Sequence, residues 1–173
     1  VLLMEGVAES KISVIPMGVD IDRFKPGEKK IELLEKLNLK EDDFIVLFAG
    51  RFAREKGIYD LLFAIQKIIS DNSIKISVKC IFIGSGTEKN KMNKLSDELG
   101  IKDFIRIVNN CPYENMPDIY NLADVFVLPS IPTESWQEQF GFVLVEAMAC
   151  GKPVISTYSG SIPEVINDAG ILV

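Results

Sequence analysis

The chain has 173 residues, 47% apolar and 25% charged, which is material for one domain around one core and too hydrophobic for long disorder. Its net charge of −6 and pI near 4.8 argue against a nucleic-acid binder, whose affinity comes from a basic face that neutralises phosphates. Three cysteines without a CxxC pair fit a reducing, cytoplasmic setting, and the lack of any histidine excludes Ser-His or Cys-His nucleophiles and an HExxH metal site within this chain.

The first residues, Val1 to Gly6, carry no basic flank and no long apolar region, so they do not read as a signal peptide. No initiator Met is present, and apolar text runs to Val173. The chain is therefore expected to be one domain, residues 1–173, excised from a longer protein. No apolar run approaches the roughly 20 residues that cross a bilayer.

The segment from Ser10 to Leu39 reads as an entry strand over Ile12 to Ile15, a loop, and a helix from about Lys30 to Leu37. Phe44 to Ala49 is apolar at every position, the pattern of a central parallel strand covered on both faces. Ile58 to Ile69 carries a helical stripe of Leu61, Leu62, Ile65, Ile68 and Ile69. Val78 to Ile83 predicts a second buried strand, followed by Gly84-Ser85-Gly86. Thr87 to Leu99 is amphipathic and stops at Gly100. Further strands are predicted over Phe104 to Val108, Asp124 to Leu128, Pro153 to Ser156 and Gly170 to Val173. Helices are predicted over Pro117 to Leu122, Phe140 to Ala149 and Ile162 to Ile166. This alternation implies an α/β fold, a doubly wound parallel sheet of Rossmann-like type. In such sheets ligands bind outside the carboxyl ends of the strands.

Two constellations stand at such ends. Gly50-Arg51-Phe52-Ala53-Arg54-Glu55-Lys56-Gly57 places three cations within six residues, just before a helix. The Arg fork, the Lys point charge and the helix N-terminus together suit a diphosphate. The competing reading is a solvated turn in which Glu55 pairs with one of the cations. The second constellation is Glu138-Gln139-Phe140-Gly141-Phe142-Val143-Leu144-Val145-Glu146, two glutamates with seven residues between them. Glu146 lies in a helix with almost no polar face. A buried carboxylate without donors is strongly unfavourable, so it must find partners. The vicinal hydroxyls of a ribose could supply them; otherwise it is a first-turn Glu reaching solvent. The amides around Phe140 and Gly141 offer a further anion or hydroxyl site. The Gly84 turn is weaker: its glycines serve chain packing in many doubly wound domains, whatever they bind.

These residues resemble a known family. Val14-Ile15-Pro16-Met17-Gly18-Val19-Asp20, then Gly50-Arg51 with Glu55-Lys56-Gly57, Ala123 to Ser130, Glu138 to Gly151, Gly160 with Pro163-Glu164, and the closing Gly-Ile-Leu-Val follow in order the pattern of family 4 retaining glycosyltransferases, the glycosyl transferases group 1. The resemblance implies one half of a GT-B fold, the C-terminal half that holds a nucleotide-diphosphate sugar as substrate. It implies transfer of the sugar to an acceptor hydroxyl with retention, with neither metal nor cofactor. The catalytic set carried over is Arg51, Lys56 and Glu138. Donor contacts carried over are Gly50, Arg51, Lys56, Gly84, Asn110, Cys111, Glu138, Phe140, Gly141, Phe142, Val143 and Glu146. Arg51 and Lys56 would hold the diphosphate, Glu146 the ribose, Glu138 the sugar, and the loop from Val108 to Pro112 would flank the base. A carbohydrate or lipid-linked acceptor would bind an N-terminal domain outside this chain. The full-length protein would be cytoplasmic, with attachment to a membrane surface left open, and the chain alone would bind donor without transferring sugar.

The chain departs from the family pattern in three places. Gln139 stands where Gly is frequent, Ile131 to Gln137 is a long loop with a rival Glu134-Ser135 and with Trp136, and Met17 replaces a frequent Asn. Other readings are a non-catalytic nucleotide-sugar-binding module, another GT-B enzyme such as a sugar-nucleotide epimerase, and a dinucleotide-binding dehydrogenase domain. The last predicts G-x-G-x-x-G after the first strand, where this chain has Gly-Arg-Phe-Ala-Arg-Glu.

Overall fold

A computed structural model describes residues 2–15, 17–109 and 111–173. Six strands form one parallel sheet: β1 (Phe44–Ala49), β2 (Val78–Ile83), β3 (Ile105–Val108), β4 (Val125–Leu128), β5 (Val154–Ser156) and β6 (Ile171–Leu172). Their order is β3-β2-β1-β4-β5-β6, so the direction of winding reverses between β1 and β4. The crevice at such a reversal is where doubly wound sheets take their ligands. The helices are α1 (Ile31–Lys36), α2 (Ile58–Ser70), α3 (Lys89–Glu98), α4 (Met116–Leu122), α5 (Phe142–Ala149) and α6 (Ile162–Ile166).

The central strands read as they do because both faces are covered. In β1, Ile45 to Ala49 are all buried, and the strand is fully paired with β2 from Phe44↔Val78 to Ala49↔Ile83. Ile58, Leu61, Leu62 and Ile65 turn the apolar stripe of α2 onto this sheet. On the order of 2 kcal/mol per fully buried aliphatic side chain makes this packing the main source of stability. Polar side chains then tie the periphery to the sheet. Asp124, just ahead of β4, accepts the Ile45 N–H at 2.7 Å and the Lys29 ammonium at 2.9 Å. Arg106 of β3 donates to the carbonyls of Leu37 and Asn38, fastening the end of α1.

Three expectations need correction. Ile12 to Ile15 forms no strand; Val14 and Ile15 are more than 80% exposed, so they bury no apolar surface that would offset the cost of ordering a strand. The helix expected from Phe140 starts at Phe142, since Gly141 takes a left-handed conformation (φ 80°) that precedes the first turn. The strand expected from Phe104 begins at Ile105, after a tight turn over Lys102–Phe104. Other boundaries differ by one or two residues, the ordinary fraying of element ends.

Candidate functional site

A cleft of about 460 Å³ opens at the carboxyl ends of β1 and β2. Ala49, Gly50 and Arg51 line it from the end of β1, and Ile83, Gly84 and Ser85 from the end of β2. Cys111 and Tyr113 contribute from the β3–α4 connection, Met116 from the start of α4, and Val143 and Glu146 from α5. A cation from the first constellation and the acid from the second therefore face one space. The Gly84 turn combines both readings of its glycines. A Cβ on Gly84 would lie 1.9 Å from the Gly50 carbonyl oxygen at φ 142°, so a side chain is excluded by packing, and the same bare backbone forms the cleft wall.

Glu146 is 5% exposed, which rules out a first-turn carboxylate reaching solvent. Its donors are two phenols. Tyr120, fully buried on α4, donates to Oε2 at 2.6 Å, and Tyr113 donates to Oε1 at 2.9 Å. Burial, reinforced by the Glu146 charge, pushes the Tyr120 hydroxyl well above its ordinary pKa; the same two causes raise Tyr113. Both phenols thus stay protonated and able to donate at neutral pH. Each carboxylate oxygen has one acceptor site taken and capacity for another. Tyr120 is held in turn by Phe24 and Phe126, with ring centroids 5.9 and 5.6 Å away.

Lys56 does not line this cleft. It pairs with Glu138 at 2.6 Å, with both side chains no more than 15% exposed. Ser130, just past β4, donates to the same Glu138 oxygen at 3.0 Å. The Lys56 ammonium also lies 4.8 Å from the centroid of the Trp136 ring, within cation–π range. The Glu138 backbone is fastened separately: its N–H donates to Ser159 Oγ and its carbonyl accepts from Ser161 N–H. Glu138 Cγ lies 3.7 Å from where a Cβ on Gly141 would stand, so the pair abuts the N-terminal turn of α5. In that first turn the Leu144 N–H donates to the Gly141 carbonyl at 2.8 Å, while the amides before it have no helix carbonyl to reach. Arg51 is also paired, with Glu55 at 2.7 Å across i,i+4, as the solvated-turn reading expects. That pair is largely exposed on the Arg side and adds little stability.

The cleft thus gathers Gly50, Arg51, Gly84, Cys111, Val143 and Glu146. Lys56 and Glu138 form a closed pair beside it. Phe140 lines a separate depression with Val14, Ile15 and Met17, while its ring contacts that of Phe142 at 4.9 Å. Asn110 lies outside the described residues. Glu134, the rival acid, is exposed, whereas Glu138 is buried. Tyr113, Tyr120 and Ser130 are the hydrogen-bond partners of Glu146 and Glu138 that the sequence reading missed. Ser130 could have been found by the strand-end rule; Tyr120 reads from sequence as one more residue of a helix stripe. Among the described residues no three His, Cys, Asp or Glu side chains converge as a cation site, and no helix is long and apolar enough to cross a membrane.

The family model described as Glycosyl transferases group 1 matches residues 29–173. The chain belongs to the group 1 glycosyltransferase family. D-inositol 3-phosphate glycosyltransferase of Thermobifida fusca is 35% identical over 97% of this chain and 39% of its own length. The chain thus spans about two fifths of the length of the curated relatives it matches. Sucrose-phosphate synthase from Thermosynechococcus elongatus superposes with a TM-score of 0.74 at 32% identity, covering 92% of this chain and 38% of that one. Anabaena HepE, solved with UDP and glucose, superposes with a TM-score of 0.79 at 24% identity over 99% of this chain and 45% of its own, a likeness of fold. The sheet of this family member is the Rossmann-like half of a GT-B fold.

Proposed function

We propose that this chain is the donor-binding half of a retaining GT-B glycosyltransferase, taking a nucleotide-diphosphate sugar and presenting it for transfer to an acceptor hydroxyl. The supporting observation is that Arg51 and Glu146 face one cleft at the reversal point of the sheet. In this reading Glu146 accepts hydrogen bonds from the ribose hydroxyls and Arg51 holds diphosphate oxygens. Lys56 leaves Glu138 to join Arg51 on the diphosphate. Glu138, released, lies beside the sugar. As the glycosidic bond breaks, charge grows on the departing nucleoside diphosphate, and the two cations with the first amides of α5 stabilise it. These groups do the work a divalent cation does elsewhere, which makes the reaction metal-independent. Attack by the acceptor hydroxyl on the face the diphosphate leaves gives retention without a protein nucleophile. The acceptor, a carbohydrate or a lipid-linked sugar, is held by a second domain on the cytoplasmic side, so this chain alone binds donor and transfers nothing.

Calorimetric titration of the chain with UDP, GDP and ADP tests the reading and selects the base. Lys56→Ala or Arg51→Ala is expected to weaken the preferred nucleotide by about 1.5–3 kcal/mol, the range of a charge-assisted hydrogen bond. Glu146→Gln should weaken nucleotides more than inorganic pyrophosphate. Unchanged affinity in the cation variants removes them from the site; equal losses for both ligands in Glu146→Gln remove the ribose role.

A further inference from the structure

We infer that Tyr120, with Tyr113, is a positioning residue that aims the Glu146 carboxylate at the ribose hydroxyls of the bound nucleotide. The inference rests on the ribose role of Glu146 and concerns how that role is made possible.

An unaided glutamate on α5 would be a poor ribose ligand. Its side chain has several rotatable bonds, and each bond frozen on binding costs affinity. Here that cost is met during folding. Tyr120 is fully buried among Phe24 and Phe126, so its hydroxyl is a fixed point, and it holds Oε2 at 2.6 Å. Tyr113 holds Oε1 at 2.9 Å from the cleft wall. Two donors on two oxygens fix the carboxylate plane as well as its position, which vicinal hydroxyls require of an acceptor. Both donors are phenols and carry no charge of their own, so they leave the carboxylate its power to accept. A lysine or arginine in their place would form an ion pair that the ribose must compete with, as Glu138 does for Lys56. Tyr113 is itself held, by the Phe24 ring at 5.4 Å and the Arg23 guanidinium at 5.5 Å. The segment Arg23-Phe24, remote in sequence from α5, thereby supports both phenols.

The test compares ribonucleoside and 2′,3′-dideoxynucleoside diphosphates of one base, with inorganic pyrophosphate as a third ligand, by calorimetry. The parent is expected to prefer the ribo form. Tyr120→Phe keeps the ring and its packing and should shrink that preference about tenfold, the effect of misplacing one hydrogen bond to a charged group. Dideoxy and pyrophosphate affinities should hold. Adding Glu146→Gln to Tyr120→Phe should cost little more, because the carboxylate is already misaimed. A parent-like preference in Tyr120→Phe, or an equal loss for all three ligands, overturns the positioning role and leaves the ribose role standing. A parent that does not distinguish ribo from dideoxy overturns both. Should Tyr120→Phe fail to fold, seen as lost near-ultraviolet circular dichroism, the same preference is read on Tyr113→Phe, whose ring is half exposed. There a shrunken preference supports the positioning role and a parent-like one overturns it.

Discussion

A lysine and a glutamate 82 positions apart, Lys56 and Glu138, meet at 2.6 Å. If Lys56 holds the diphosphate as proposed, the carboxylate competes with that ligand for it. Glu138→Gln keeps the shape and a neutral acceptor for Lys56 while removing the competing charge. Pyrophosphate is therefore expected to bind about 1 kcal/mol tighter to Glu138→Gln than to the parent, the scale of a modest charge interaction near a protein surface. Unfolding stability should fall by about 1–3 kcal/mol as a charged hydrogen bond becomes a neutral one. Calorimetry and urea unfolding read the two opposite signs. At this scale the sequence was partly legible. Arg51 and Glu146 announced themselves, one as a cation at a strand end and the other as an acid among apolar residues. The tyrosines that satisfy Glu146 did not. Tyr113 and Tyr120 lie 33 and 26 positions away, and no local spacing links a phenol on one helix to a carboxylate on another.

Among the elements, the β2–α3 turn has little room to spare. Gly84 backs against the Gly50 carbonyl and Gly86 against that of Phe52, where added Cβ atoms would stand 1.9 and 2.2 Å away. Since the obstructing atoms are backbone, neither strand end can yield without opening the cleft. Gly84→Ala is expected to lower stability by about 2–4 kcal/mol, in the range of backbone strain and overpacking, and to weaken nucleotide binding as the wall shifts. Thermal unfolding and the same titration check it. The strands and long helices were legible because burial on both faces leaves an unbroken apolar run and burial on one leaves a helical stripe. The failures were local. Ile12 to Ile15 has strand composition, yet Val14 and Ile15 bury nothing against the core, and the start of α5 turns on a φ of 80° at Gly141 that composition does not encode.

For the molecule as a whole, three of its tyrosines are biased toward the protonated form. Burial and the Glu88 carboxylate lift Tyr59 to about 12, while burial and Glu146 raise Tyr113 and Tyr120. In the unfolded chain a phenol ionises near pH 10. Above that point the folded protein holds protons that the unfolded chain has released, so unfolding becomes progressively favoured as pH rises. The contribution is full below about pH 10 and, for Tyr59, is lost on the way to about 12. Urea midpoints should decline steadily across that range, and Tyr59→Phe should decline less steeply than the parent. The parallel order of the whole sheet followed from alternating strand and helix patterns. Where the sheet reverses, and so which loops meet, emerged only from the pairing of β1 with β4.

If Lys56 joins the diphosphate as proposed, the closed Lys56–Glu138 pair also acts as a filter. Orthophosphate or chloride drifting to the mouth of the crevice meets a lysine already matched and screened by the indole of Trp136. A small anion carries too little attraction to prise that contact apart. On that reading, a ligand anchored by its pentose at one end and its linked phosphates at the other brings the excess needed, so the protein keeps a sheltered cation in reserve for molecules that are already held elsewhere.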